Sequence, residues 1–313
     1  MLEFRSTLKL PAVAPKWVLA LGNFDGVHLG HQALLEGLAK AGAQWACPQA
    51  VVTFEPHPRE FFQTQATPKT SWPRIWGSWD LHQFLRAKNV KALVEQTFDL
   101  ALSQMSAEEF LRIYVQPMAP KALVVGHDFA FGSGRRGGLA LLAEFGRKNE
   151  CEIVVIDPVM FGDERVSTTQ IKKYLGEPDL ESATNLLGRA VSLGGTVQHG
   201  QARGRTIGVP TANVGLDFWP ALCRGVYAVR VDLLAQSISK KGVANLGLNP
   251  TVSQNSNEIK LEVHIFDFSG DLYGQDIKVE FAKFLRPEMK FDQLNQLKFQ
   301  ILEDCRLARE FLK

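Results

Sequence analysis

Leu21-Gly22-Asn23-Phe24-Asp25-Gly26-Val27-His28-Leu29-Gly30-His31 decides how the first half of the chain is read. It follows the apolar run Trp17–Leu21 and leads into Leu34, Leu35, Leu38, Ala41 and Trp45, spaced at three- and four-residue steps. That pattern predicts a strand, a glycine-rich turn and a helix. His28 and His31 then stand at a helix N-terminus, where unpaired backbone N–H groups and the positive end of the macrodipole suit phosphate. We read the pair as holding and polarising a nucleoside triphosphate. The alternative is two ordinary polar residues in a loop, and the neighbouring loops decide between them.

Working outward, short apolar or β-branched runs recur at residues 17–21, 50–54, 91–94, 122–125 and 153–156, with helical patterns between them. Ser106-Ala107-Glu108-Glu109 is a capping-box pattern, and Leu139, Leu142 and Phe145 form a further helical stripe. This alternation predicts a parallel sheet covered by helices, with ligands bound beyond the carboxyl ends of its strands. The loops at those ends are polar. The second strand is followed by Glu55-Pro56-His57-Pro58-Arg59, the fourth by Gly126-His127-Asp128 and a run rich in glycine and arginine. After the fifth comes Arg165-Val166-Ser167-Thr168-Thr169-Gln170-Ile171-Lys172, where hydroxyls before a helical turn suit phosphate and Lys172 adds charge. Convergence of these loops on one sheet edge favours the nucleotide reading. Residues 64–79, punctuated by Pro68, Trp72, Pro73, Trp76 and Trp79, form either a lid or a loop packing its own aromatics.

Bulk composition limits the rest. The chain has 313 residues, 45% of them hydrophobic, enough for two domains. A net charge of +2 gives no electrostatic case for a nucleic-acid or membrane-surface partner. Cys47, Cys151, Cys223 and Cys305 form no C-x-x-C pair, so they read as thiols in a reducing compartment. There is no apolar run of roughly 18 residues and no secretory pattern at residues 1–20, and we expect a cytoplasmic protein.

Beyond a last amphipathic segment (Leu180, Ala183, Leu186, Leu187) the alternation stops, which places the domain boundary between residues 1–186 and 187–313. Hairpin-like runs at 191–199, 225–232, 238–246, 259–268 and 277–285 predict an antiparallel barrel. The stripe Leu294, Leu297, Ile301, Cys305, Ala308 and Leu312, with Asp292 as its cap, predicts one closing C-terminal helix. The segment Gly204-Arg205-Thr206-Ile207-Gly208-Val209-Pro210-Thr211-Ala212-Asn213 lacks the P-loop ending yet holds the ingredients of a phosphate loop. If extended, it turns Thr211 and Asn213 to one face, where two neutral oxygens suit Mg²⁺ beside phosphates. The other reading is a loop whose Thr and Asn bond their own backbone. Leu261, Val263 and Ile265 share one strand face, leaving Glu262 and His264 on the other, and Glu262 is either a general base for a hydroxyl nucleophile or a paired strand glutamate. Asn245 and Arg286 lie in further polar stretches that shape a rim.

Taken in order, Asn23 to His31, Phe54-Glu55-Pro56, Gly126-His127-Asp128-Phe129, Ser167-Thr168-Thr169, Gly204 to Asn213, Gly225-Val226-Tyr227, Asn245-Leu246-Gly247, Leu261-Glu262-Val263-His264 and Asp271-Leu272-Tyr273-Gly274 resemble the bacterial bifunctional riboflavin kinase/FMN adenylyltransferase (FAD synthetase) family. The resemblance spans nearly the whole chain. It implies an α/β, Rossmann-like nucleotidyltransferase domain with a parallel sheet, followed by a riboflavin kinase-like β-barrel. Riboflavin, FMN and ATP are the implied partners, Mg²⁺ accompanies ATP, and FMN and FAD are products. In the first domain it implies that His28 and His31 stabilise charge as pyrophosphate leaves, with Gly22, Asn23, Phe24, Asp25, Gly26, His57, Asp128, Arg165, Ser167, Thr168 and Lys172 around ATP and flavin. The family usually has arginine where Lys172 stands, which keeps the charge and loses the planar fork. In the second domain it implies that Glu262 is the base and that Thr211 and Asn213 bind Mg²⁺-ATP, with Gly204, Arg205, Gly208, Pro210, Asn245 and Arg286 lining the site. We expect a monomer or weak homo-oligomer.

Overall fold

The structure, a computed structural model, describes residues 1–5, 16–65, 72–200, 208–249, 258–291 and 293–313. It contains two compact units, Met1–Trp72 with Leu81–Ser167, and Pro73–Asp80 with Thr168–Lys313.

In the first unit, strands β1 (Leu2–Phe4), β2 (Trp17–Leu21), β3 (Gln49–Glu55), β4 (Ala92–Thr97), β5 (Pro120–Gly126) and β6 (Glu152–Ile156) form one sheet in the order β1-β4-β3-β2-β5-β6. All pairings are parallel. Every residue of β2 is buried, as expected for a central strand covered on both faces. The helices are α1 (Leu29–Gln44), α2 (Pro58–Gln65), α3 (Ser78–Ala87), α4 (Leu100–Gln104), α5 (Ala107–Phe110) and α6 (Leu139–Asn149), with a short hairpin β7 (Met160–Phe161) and β8 (Glu164–Arg165) after β6. Both bonds of the predicted Ser106/Glu109 capping box are made, at 3.1 and 3.2 Å. Because β3 and β4 lie on one side of β2 and β5 and β6 on the other, the switch point falls between β2 and β5. That is where such sheets bind ligands.

The edge strand β1 was not foreseen. It is tied in through Glu3, which faces both Arg86 at 2.6 Å and His82 at 3.4 Å, while the other ring nitrogen of His82 lies 3.1 Å from Glu95 on β4. Contact with the Glu95 carboxylate raises the His82 pKa above the ordinary histidine value; burial and Arg86 oppose this, and the charges of Glu95 and Glu3 support it. A pKa raised by folding gives stability that is full below about 6.5, the unfolded value, and lost as pH climbs through the higher folded value. The stability advantage of the native chain over His82→Gln should therefore shrink in urea melts as pH is raised across that window. An advantage unchanged with pH would contradict the assignment.

The second unit is a closed barrel of β9 (Ser192–Gln198), β10 (Ala212–Val214), β11 (Gly225–Leu233), β12 (Ile238–Asn249), β13 (Glu258–Ile265) and β14 (Asp276–Arg286), joined in the order β10-β13-β12-β11-β14-β9. Helices α7 (Thr168–Gly176) and α8 (Leu180–Leu187) precede it, and α9 (Leu294–Phe311) follows. Ala308 and Leu312 pack with Val226, Ala228, Val243 and Phe266 on the outer face of the barrel. Asp292, expected to cap α9, lies outside the described residues; Gln293 flanks the helix and makes no side-chain cap bond.

Residues 73–80 are neither a lid nor a self-packed loop, because they join the barrel unit. Trp76 donates its indole N–H to the Ser192 carbonyl at 3.1 Å, and Arg189 stacks on the Trp76 ring at 3.8 Å. Trp79 occupies the space that a Cβ at Gly194 would fill. Asp80 is fully buried and accepts from the Gly194 and Gly77 backbone; burial drives its carboxyl upward and lowers the Arg189 pKa to about 9. Trp72 belongs to the first unit, where its ring lies parallel to that of His57 at 6.1 Å. Pro68 falls outside the described residues.

Candidate active sites

At the sheet switch point, α1 begins directly after the β2 turn. His28 is its N-cap: Nδ1 accepts the His31 backbone N–H at 3.3 Å, so a neutral ring carries its proton on Nε2. The two imidazoles are stacked with centroids 3.8 Å apart, and Phe24 lies 5.3 Å from His31. Gly30 explains the spacing of the motif. A Cβ there would stand 3.0 Å from Cε1 and 3.1 Å from Nδ1 of His28, so the glycine leaves room for the capping ring. The first turn of α1 has no acidic residue to offset the dipole. Asp25 is buried within the turn, Gly26 takes φ 74° and Val27 takes φ 36°, a left-handed conformation that a β-branched residue adopts only under strain. Gly22 and Asn23 complete this loop, with Asn23 accepting from the Asp25 N–H at 2.8 Å.

The other predicted first-unit residues are placed as follows. His57 is buried after β3 and its Nδ1 accepts the Arg59 N–H at 3.1 Å. Asp128, in the loop after β5, pairs with Arg165 on β8 at 2.7 Å. Burial raises the Asp128 pKa, but the hydrogen bond and charge of Arg165, with His127, outweigh it and hold the carboxyl below the ordinary value. These two predicted site residues are thus brought together. Ser167 ends the first unit, whereas Thr168 and Lys172 lie on α7 and belong to the second.

In the barrel, a three-residue strand unrecognised in the sequence makes the second site. Asn213 on β10 is directly opposite Glu262 on β13, Glu262 is directly opposite Asn245 on β12, and Gln198 on β9 is opposite Asn213. Directly opposed residues share a face with Cβ atoms about 4.5–5.5 Å apart. Leu261 and Val263 on either side of Glu262 are buried inside the barrel, so this polar row lies on its outer face. Neither cross-strand neighbour of Glu262 is cationic, and among the described residues it has no hydrogen-bond or ion-pair partner. Glycines make room for the side chains of the row: a Cβ at Gly200 would collide with the Asn213 amide, and one at Gly247 would collide with the Glu288 carboxylate and stand 3.0 Å from Asn245 Nδ2. Glu288 therefore sits beside the row. Thr211 immediately precedes β10, and Gly208 supplies the left-handed φ of 81° ahead of Pro210. Gly204 and Arg205 lie outside the described residues. Arg286 is committed elsewhere: it grips the buried Asp304 of α9 through Nε at 2.9 Å and Nη2 at 2.7 Å.

A metal at this row would rest on Thr211 and Asn213. Their neutral oxygens, with Asn213 directly opposite Glu262 on the same face of the ladder, fit Mg²⁺, a hard cation that takes oxygen ligands and keeps several waters. Among the described residues no group of three or more His, Cys, Asp or Glu is arranged to hold a metal instead.

A riboflavin kinase family model matches residues 187–312 and an FAD synthetase family model matches residues 10–170. The bifunctional riboflavin kinase/FMN adenylyltransferase of Escherichia coli (strain K12) is 39% identical over 295 residues, covering 94% of this chain and 92% of the relative. The enzyme of the same description from Haemophilus influenzae is 39% identical over 296 residues, covering 94% and 93%. Among solved structures, one from Streptococcus pneumoniae described as a macrolide-efflux protein superposes with a TM-score of 0.77 at 30% identity over 98% of both chains. Among the described residues here, no helix is long and apolar enough to cross a membrane.

Proposed function

The chain belongs to the bifunctional riboflavin kinase/FMN adenylyltransferase family, and on that premise we propose which of its residues do each half of the work. The protein phosphorylates riboflavin to FMN in its barrel and adenylylates FMN to FAD in its α/β domain, using ATP in both steps.

In the barrel, Glu262 accepts the proton of the riboflavin 5′-hydroxyl as that oxygen attacks the γ-phosphorus and ADP leaves. The observation that carries this assignment is the register that sets Asn213 and Glu262 directly opposite one another. Base and phosphate-binding oxygens then approach one substrate from adjacent strands. Thr211 and Asn213 hold Mg²⁺ together with ATP, and Gly208, Pro210 and Asn245 shape the surroundings, as do Gly204 and Arg205. With Mg²⁺ held there, Thr211 and Asn213 would place its charge where it would offset that of the transferring phosphoryl group. Positioning and electrostatics carry such transfers without a covalent enzyme intermediate.

In the α/β domain, a phosphate oxygen of FMN attacks the α-phosphorus of ATP and pyrophosphate departs. Charge builds on the departing oxygens, and the Nε2–H of His28, the ring of His31 and the N-terminus of α1 stabilise it. Gly22, Asn23, Phe24, Asp25, Gly26 and His57 line the nucleotide side. Asp128, Arg165, Ser167, Thr168 and Lys172 serve the phosphates and the flavin. We assign residues 1–186 to this activity and 187–313 to the kinase. We further propose that the enzyme works in the cytoplasm as a monomer or weak homo-oligomer, without nucleic-acid or membrane partners. A time course with riboflavin, ATP and Mg²⁺ tests the two steps together. FMN should rise first and then be drawn into FAD, and the appearance of neither would overturn the reading.

A further inference from the structure

His264 stands two residues beyond Glu262 on β13, and so on the same outer face of the barrel. Its Nδ1 lies 2.7 Å from the carbonyl oxygen of Pro210. A carbonyl oxygen only accepts, so Nδ1 carries the proton and donates it. Pro210 has no backbone N–H, which leaves this carbonyl as its one main-chain hydrogen-bonding group. The location matters because β10 begins only at Ala212, paired with Val263. Ahead of it, ladder pairing to β13 stops just short of Thr211, and among the described residues nothing comes within 4 Å of where a Cβ on Gly208 would stand. The His264 bond therefore extends the attachment of this segment to β13 past the end of the ladder. The imidazole is itself held from behind. It meets Phe266 edge-on at 5.7 Å, and Phe266 is buried beneath α9 with its N–H donated to the Lys241 carbonyl at 2.8 Å.

We propose that His264 is a positioning residue for phosphoryl transfer, clamping the Pro210 carbonyl so that Thr211 is fixed relative to Glu262 on the neighbouring strand. The inference rests on the reading of Thr211 and Glu262 as kinase residues. It differs from a packing role in depending on where the donor stands. Asparagine carries an N–H close to the position of Nδ1, whereas glutamine of nearly the same bulk carries its N–H close to that of Nε2.

The test is steady-state kinetics of riboflavin phosphorylation by the full chain as native protein, His264→Ala, His264→Gln and His264→Asn, with conversion of FMN to FAD measured on each as the control for folding. Loss of one positioning hydrogen bond should raise KM for ATP about tenfold in the Ala and Gln variants, and His264→Asn should stay within about threefold of native. FAD formation from FMN should be equal in all four. A native KM in His264→Ala, or Asn performing no better than Gln, overturns the clamp. Kinase activity surviving in Glu262→Gln would instead sink the reading beneath it, so the two failures are distinguishable.

Discussion

Glu262→Gln should abolish FMN formation while leaving conversion of FMN to FAD intact. Glutamine has the size of glutamate and keeps its place on β13, but its amide cannot take up a proton at neutral pH. Loss of a positioned base costs about 10²–10⁴-fold in kcat. The barrel should tolerate the change, because Glu262 is half-exposed on the outer face and is no one's ion-pair partner among the described residues. Its neighbours across the ladder are Asn213 and Asn245, and an amide is at home between them. A fall in kcat with little change in KM for ATP separates loss of the base from loss of nucleotide binding. Native FMN formation by the variant would return Glu262 to the ordinary strand glutamates.

The reciprocal result is expected for His28→Ala with His31→Ala: FMN accumulates from riboflavin and FAD does not form. Removing one preorganised donor from a developing oxyanion costs about 10²–10³-fold, and this double variant removes both side chains proposed to face the leaving pyrophosphate. His28 also caps α1, and removing a cap costs about 0.5–2 kcal/mol, so the double variant weakens the unit as well. His28→Asn separates the effects. Asparagine is a strong N-cap and can accept the His31 N–H, yet it offers no donor at the position of Nε2. It should therefore keep the thermal midpoint and still lose most FAD formation; full activity would mean that His28 only caps the helix.

How much of this was legible in the residues depends on the range over which each feature is encoded. The H-x-G-H turn could be read because its strand, its glycines and its helical stripe are contiguous, and the structure adds the His28 cap, the left-handed Val27 and the reason Gly30 is needed beside the capping ring. The barrel was likewise visible in the long alternating runs. Strands β1 and β10 were missed because three residues show no period, and β1 is held by a His82 and a Glu95 that come some eighty to ninety residues later. Trp76 and Trp79 signalled packing without a partner, since the Ser192 carbonyl, Gly194 and the Arg189 guanidinium that receive them lie more than a hundred residues away. Glu262 and His264 could be put on one face from alternation alone. That the first lies opposite Asn213 and the second bonds Pro210 required the register of β10 on β13. Arg286 shows the reverse limit: an arginine in a polar stretch reads as a ligand contact until its carboxylate partner, Asp304, is seen on α9.

The central claim is that one chain holds two separate catalytic centres, one built on His28 and His31 and the other on Glu262 and Asn213. Mixing equal amounts of Glu262→Gln and the His28→Ala/His31→Ala variant with riboflavin, ATP and Mg²⁺, and following FMN and FAD, tests it most directly. Alone, the first should make neither product and the second should stop at FMN; together they should make FAD, because each supplies the step the other lacks. A mixture that stops at FMN, or either variant forming FAD from riboflavin alone, would contradict the account.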